Sequence, residues 1–197
     1  LKERGSKELI VRVIAGKYRS RLLKGPGRLK LRPTSDRLRE TLFNILGPEI
    51  ADSDFWDLYA GTGAIGIEAI SRGARAAIFV ESHVPSARLV RENLEALDIS
   101  GAAEVMEADV IRGLEKLAAR RLVADFIFLD PPYENTGDYL RVLEFLDASH
   151  LIAPYGIVIV EHHRRLELPD RLNRIERTRV LEQGDAALSF YRLAAAA

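Results

Sequence analysis

From residue 53 onward, apolar runs that read as β-strands alternate with stretches of helical periodicity, and this alternation limits the possible folds more than any other feature. The expected strands are Phe55–Tyr59, Ala76–Glu81, Ala103–Glu107, Asp125–Leu129 and Gly156–Glu161. Between them lie expected helices at about 64–72, 84–97, 110–119 and 137–147. Gly73 stops the first helix and Pro85 starts the second, in which Val90, Leu94 and Leu97 recur at i, i+4 and i+7. Tyr139, Leu143 and Leu146 repeat that spacing in the fourth. Two further strands, about 174–182 and 187–193, are joined by Gln183-Gly184-Asp185, a hairpin signal. The pattern predicts an α/β chain with a Rossmann-like, doubly wound, mostly parallel sheet covered on both faces. The C-terminal hairpin adds antiparallel strands at one edge.

The first 47 residues read differently. Ile10–Ala15 and Tyr18–Leu23 flank Gly16-Lys17 as a β-hairpin, and Pro26-Gly27 breaks the chain. Ser35 or Thr34 caps a helix starting near Asp36, with Leu38, Leu42, Ile45 and Leu46 on one face and Gly47-Pro48 at its end. This hairpin-and-helix extension, residues 1–47, is too short for a core of its own. The body is expected over 48–193 and a low-complexity tail over 194–197.

Net charge is zero, with 29 basic and 29 acidic residues. The average conceals an asymmetry: residues 1–44 carry +9 and the remainder −9. A basic arm on an acidic body points to nucleic acid or another acidic surface as partner; a solvated tail is the plainer alternative. No cysteine is present, which excludes disulfides, thiolate metal sites and cysteine nucleophiles. The longest run without a charged residue, Ala148–Val160, has 13 residues and contains Pro154 and Gly156, so it cannot span a bilayer as a helix. No secretory signal opens the chain, and a cytoplasmic monomer is expected. His162 and His163, adjacent on a strand, should point to opposite faces, so no metal is expected.

The first strand–helix junction reads Asp57-Leu58-Tyr59-Ala60-Gly61-Thr62-Gly63-Ala64-Ile65-Gly66. Gly61, Gly63 and Gly66 satisfy G-x-G-x-x-G, and Glu81 follows Gly61 by 20 residues. Alone this is a dinucleotide fingerprint: the glycines allow close backbone approach and the acid binds ribose hydroxyls. Asp57 shifts the reading from NAD to S-adenosylmethionine. A carboxylate at that strand end attracts an ammonium group but repels a pyrophosphate. At the end of the third strand, Asp109 can accept a hydrogen bond from an adenine amino group, cap the next helix, or do both.

After the fourth strand comes Asp130-Pro131-Pro132-Tyr133, the most specific signal in the chain. Ligands of open α/β sheets bind at the carboxyl ends of the strands, so this tetrapeptide shares an edge with the glycine loop. The prolines fix the backbone and leave carbonyls without neighbouring amide donors. Such a corner suits an exocyclic amine on a planar base. The Asp130 carboxylate and Pro131 carbonyl would hold its N–H groups and stabilise the positive charge that develops on nitrogen. Tyr133 would stack on the base.

Together these residues resemble class I S-adenosylmethionine-dependent methyltransferases that act on exocyclic amines. The segments Val13–Arg19, Leu31–Asn44, Glu68–Ala74 and Leu188–Tyr191 narrow the resemblance to the bacterial RsmD family, over about residues 11–193. The resemblance implies transfer of a methyl group to the exocyclic N2 of a guanine in 16S ribosomal RNA, naked or in the small-subunit particle. It implies cofactor contacts at Asp57, Ala60, Gly61, Thr62, Gly63, Glu81, Ser82, Asp109 and Val110, and catalysis at Asp130, Pro131, Pro132 and Tyr133. The arm is then expected to hold RNA phosphates through Arg12, Lys17, Arg19, Arg21 and Arg32. Thr34, Arg37 and Arg39 either cap and pair along the helix or face the RNA and cofactor. DNA adenine-N6 methylation is the alternative activity; the lack of a separate DNA-recognition domain weighs against it.

Overall fold

The computed structural model describes residues 11–25, 34–132 and 136–195. Tyr133 and Arg32, named above for catalysis and RNA binding, lie outside the described residues, as does Ile10.

The elements follow the alternation closely. Two short strands, β1 (Val11–Arg12) and β2 (Leu22–Leu23), precede α1 (Asp36–Leu46). The body then runs β3 (Asp54–Leu58), α2 (Ala64–Ser71), β4 (Ala76–Glu81), α3 (Val84–Ala96), β5 (Ala103–Glu107), α4 (Val110–Ala119) and β6 (Ala124–Leu129). It ends with α5 (Thr136–Ala148), β7 (Ile152–His163), β8 (Ile175–Gln183) and β9 (Ala186–Leu193). Strands β3 to β9 form one sheet in the order β5-β4-β3-β6-β7-β9-β8. Its β5-to-β7 part is parallel, and β9 and β8 add antiparallel at the edge. Chain direction reverses about β3, which has β4 on one side and β6 on the other, so β3 marks the topological switch point.

Alternation along each strand sorts side chains between two cores. Phe55, Phe79, Phe126, Phe128, Ile157 and Ile159 face α1, α2 and α3. Trp56, Leu58, Val80, Ile127, Leu129, Val158 and Val160 face α4 and α5. Helix α1 joins the first core through Leu38, Leu42, Phe43 and Leu46, with the Phe43 ring stacked 6.1 Å from that of Phe55. Ser35 caps it, its hydroxyl accepting the Leu38 N–H at 3.2 Å. Val11, Val13 and Leu23 of the extension are buried in the same core.

The expected hairpin is shorter than its sequence suggests. The strand register covers only Val11 with Leu23 and Arg12 with Leu22, and Val13 adds one further link, its N–H donating to the Arg21 carbonyl at 3.0 Å and its carbonyl accepting the Ser20 N–H at 2.9 Å. Between them, residues 14–18 dock on α2 instead of pairing with each other. The Ile14 and Ala15 N–H groups donate to the buried Glu68 carboxylate at 2.7 and 3.0 Å, and Lys17 N–H donates to the Ser71 carbonyl at 2.7 Å. Gly16, at φ +82°, lies so close to Ser71 that an added Cβ would come within 1.8 Å of its carbonyl oxygen. For residues 14 and 15, charge-assisted bonds to a buried carboxylate outcompete an extension of the two-stranded ladder.

Candidate active site

Because β3 and β6 are neighbours in register, with Leu58 opposite Leu129, the glycine loop and the Asp130 motif leave the sheet side by side. Strand spacing in a sheet is about 4.8 Å, so a ligand in the loop after β3 lies against the motif after β6.

The glycine loop is built by turns and close contacts. Tyr59 takes φ +64°, and Gly61 and Gly63 take φ +57° and +76°. Holding a tyrosine in the left-handed region costs roughly 1 kcal/mol, the kind of local strain that accumulates at functional sites. Gly66 serves packing, since a Cβ there would fall 2.3 Å from the Phe79 ring. Ala60, Thr62 and Gly63 are buried, and Gly61 is half-buried. The loop is tied to β4 by Glu81, whose two oxygens accept the Gly61 and His83 N–H groups at 2.8 Å each. From α3, the Asn93 side chain donates to the Thr62 carbonyl at 3.0 Å and exchanges hydrogen bonds with the Lys24 backbone.

Asp57 sits beneath this loop, 2% exposed, accepting the Gly66 N–H at 2.9 Å. Burial raises its carboxyl pKa to about 8, against the opposing Gly66 hydrogen bond and with help from the Glu81 charge. A cationic group arriving above it would relieve that cost. Asp109 caps α4, accepting the Ile111 N–H at 3.0 Å, and pairs with Arg141 at 3.1 Å. Val110 beside it is buried, while Ser82 is exposed. With backbone donors at the start of α2, the Glu81 carboxylate and the uncompensated Asp57, these residues fit an adenosyl amino acid carrying an ammonium group.

In the motif itself, Asp130 is half-buried, Pro131 buried and Pro132 exposed. The Pro131 carbonyl, expected to hold an amine, already accepts the Tyr139 hydroxyl at 3.3 Å. A carbonyl oxygen has two lone pairs, so one acceptor position there is used by the protein.

The arm's cations divide. Lys17, Arg19 and Arg37 are exposed. Arg12 is exposed and pairs with Asp36 at 3.3 Å, and Arg21 donates to the Ala96 carbonyl at 3.1 Å. Arg39 corrects the expectation of an RNA-facing cation: it is fully buried, pairing with Asp36 and donating to the Arg12 carbonyl, both at 2.7 Å. It lies on the apolar face of α1 beside Leu38, Leu42 and Phe43, so helix geometry turns it inward. Thr34 also faces the protein, donating to Glu161 at 2.8 Å. Glu68, Asn93 and Glu161 were not singled out from the sequence. The available signal was a polar residue on a mostly apolar face or strand: Asn93 lies among Val90 and Leu94 of α3 and Leu97 just after it.

Comparison with known proteins identifies the family. The family described as Conserved hypothetical protein 95 matches residues 11–192. Ribosomal RNA small subunit methyltransferase D of Escherichia coli (strain K12) is 35% identical over 159 residues, covering 81% of this chain and 78% of that protein. Its namesake from Haemophilus influenzae is 37% identical over 153 residues, covering 77% of this chain and 78% of that protein. The solved structure of a hypothetical protein from Thermus thermophilus superposes with a TM-score of 0.80 at 30% identity, covering 93% of this chain and 99% of that one. The resemblance carried by the glycine loop, the Asp130 motif and the arm therefore holds, and the chain belongs to the Conserved hypothetical protein 95 family, the RsmD group of methyltransferases.

Proposed function

We propose that this protein transfers a methyl group from S-adenosylmethionine to the exocyclic N2 of a guanine in small-subunit ribosomal RNA. The observation that carries the reading is the adjacency, at the switch point, of the glycine loop after β3 and the Asp130-Pro131-Pro132 corner after β6. The relatives named as small-subunit rRNA methyltransferases supply the substrate class.

The cofactor supplies an electrophilic methyl carbon on a sulfonium. Gly61, Thr62 and Gly63 would present backbone to its amino acid end, Asp57 would meet its ammonium group, Glu81 its ribose and Asp109 its adenine. Guanine N2 is a weak nucleophile because its lone pair is delocalised into the ring. Acceptors at Asp130 and at the remaining lone pair of Pro131 would orient both N–H bonds and stabilise the charge that develops on N2 as it takes the methyl group, and the Asp130 carboxylate would take the proton that N2 then loses. Tyr133, outside the described residues, would supply the stacking ring for the base. Alignment of N2 with the methyl carbon supplies much of the rate. Lys17, Arg19, Arg37 and Arg12 hold phosphates. The described residues of the extension share the body's core, so its separation from 48–193 is one of role. The protein acts as a cytoplasmic monomer.

The test is methylation of small-subunit RNA and particles from cells lacking the enzyme, with the product mapped. A label on guanine N2 of the 16S RNA is expected. Label confined to adenine N6 of duplex DNA overturns the reading.

A further inference from the structure

Glu161 occupies a place in the sheet that its burial alone does not explain. The last register pair of β6 and β7 joins Leu129 to Val160, so the next residues are Asp130 and Glu161. Phe126 and Phe128 on β6, and Ile157 and Ile159 on β7, all face α1–α3. Alternation carries Asp130 and Glu161 to that same face, on strands about 4.8 Å apart. Glu161 is 5% exposed although it lies near the strand's ligand-binding end, and Thr34 donates to its Oε2 at 2.8 Å. Thr34 immediately precedes the α1 cap, so the extension orients this carboxylate. In the sheet order Glu161 lies beyond Asp130, on the side away from the glycine loop and Glu81. That is the side left for the base once the cofactor occupies the loop.

We propose that Glu161 is a base-specificity residue: its carboxylate accepts the guanine N1–H while Asp130 accepts from the N2 amino group. The inference rests on the guanine-N2 reading above. Guanine offers adjacent donors at N1 and N2, whereas adenine N1 and cytosine N3 are acceptors. A carboxylate has acceptors only, so it pairs with N1–H and repels a lone pair in that position. Sites built around such a hydrogen bond discriminate strongly against analogues that lack the donor, because the buried partner is left unpaired. The Thr34 hydroxyl holds one oxygen and fixes the carboxylate's direction.

The experiment uses target RNA carrying either guanine or 2-aminopurine at the modified position. Both present the same 2-amino group, but N1 of 2-aminopurine carries no hydrogen. In single-turnover assays the wild type should favour guanine by about a hundredfold or more. Glu161→Gln should slow guanine methylation at least about tenfold and shrink the preference for guanine at least about tenfold, because the glutamine amide can donate to a bare N1. Thr34→Val should move the same ratio in the same direction by less, and calorimetric S-adenosylmethionine affinity of both variants should stay at the wild-type value. Equal slowing of both substrates by Glu161→Gln, or no change in either, overturns the proposal. A wild type that methylates RNA but never guanine overturns instead the reading on which it rests.

Discussion

Replacing Asp57 with Asn separates what the fold tolerates from what the site needs. Asp57 is buried, and its carboxyl is raised from 3.8 to about 8, chiefly by desolvation. The folded protein keeps a proton that the unfolded chain releases between these values. Wild-type stability attributable to this group is therefore lost as pH rises from about 4 to about 8, and each pH unit inside that window weighs about 1.36 kcal/mol. Asp57→Asn abolishes the titration while keeping an oxygen for the Gly66 N–H. Its stability relative to wild type should rise by roughly 3 kcal/mol between about pH 5 and about pH 7, every other group cancelling in the difference. Urea denaturation of both proteins across that range measures it. The same variant should bind S-adenosylmethionine at least about tenfold more weakly, or about 1.4 kcal/mol, for want of a partner to the ammonium group. Wild-type binding near neutral pH should release close to one proton, read by calorimetry in buffers of different ionisation heat. Parallel pH profiles for the two proteins would refute the argument, since they would mean that burial does not perturb this carboxyl.

Asp130→Asn should cut single-turnover methyl transfer at least about tenfold, roughly 1.4 kcal/mol, because the amide offers a donor where guanine N2 needs an acceptor; an unchanged rate contradicts the role given to Asp130. Glu68→Ala leaves the Ile14 and Ala15 N–H groups and Arg72 without their buried acceptor, and should cost about 3–5 kcal/mol in chemical denaturation. Gly66→Ala drives a Cβ against the Phe79 ring and should cost about 1–3 kcal/mol in the same assay. Removing the exposed Lys17 and Arg19 charges by alanine should lower the salt slope of RNA binding by about 0.7 per lost phosphate contact, with melting temperature unchanged. These two cations test the arm more cleanly than deleting it, because deletion also strips Val11, Val13 and Leu23 from the core.

Local patterns were legible in the amino-acid sequence. Strand–helix alternation placed every element of the parallel sheet to within a few residues, since period-2 and period-3.6 burial are properties of adjacent residues. The helix cap at Ser35, the glycine turn and the Asp130-Pro131-Pro132 corner were readable for the same reason: each is a short-range contact or a backbone restriction. What stayed hidden depends on pairing between distant residues. Thr34 meets Glu161 across 127 positions, and Ile14 meets Glu68 across 54. The extension's ladder is cut short at residues 14 and 15, where a buried carboxylate from another element accepts the backbone N–H groups. Arg39 turned inward because it lies on the buried face of α1, where its guanidinium still reaches Asp36 and the Arg12 carbonyl. The sequence by itself determined the local motifs, the glycine loop and the Asp130-Pro131-Pro132 corner, from which the site was proposed. Only the tertiary structure decided that β6 pairs with β7 in the register that ends at Leu129 and Val160, just ahead of Asp130 and Glu161, because strand order and register are set by the burial of whole faces and not by any local motif.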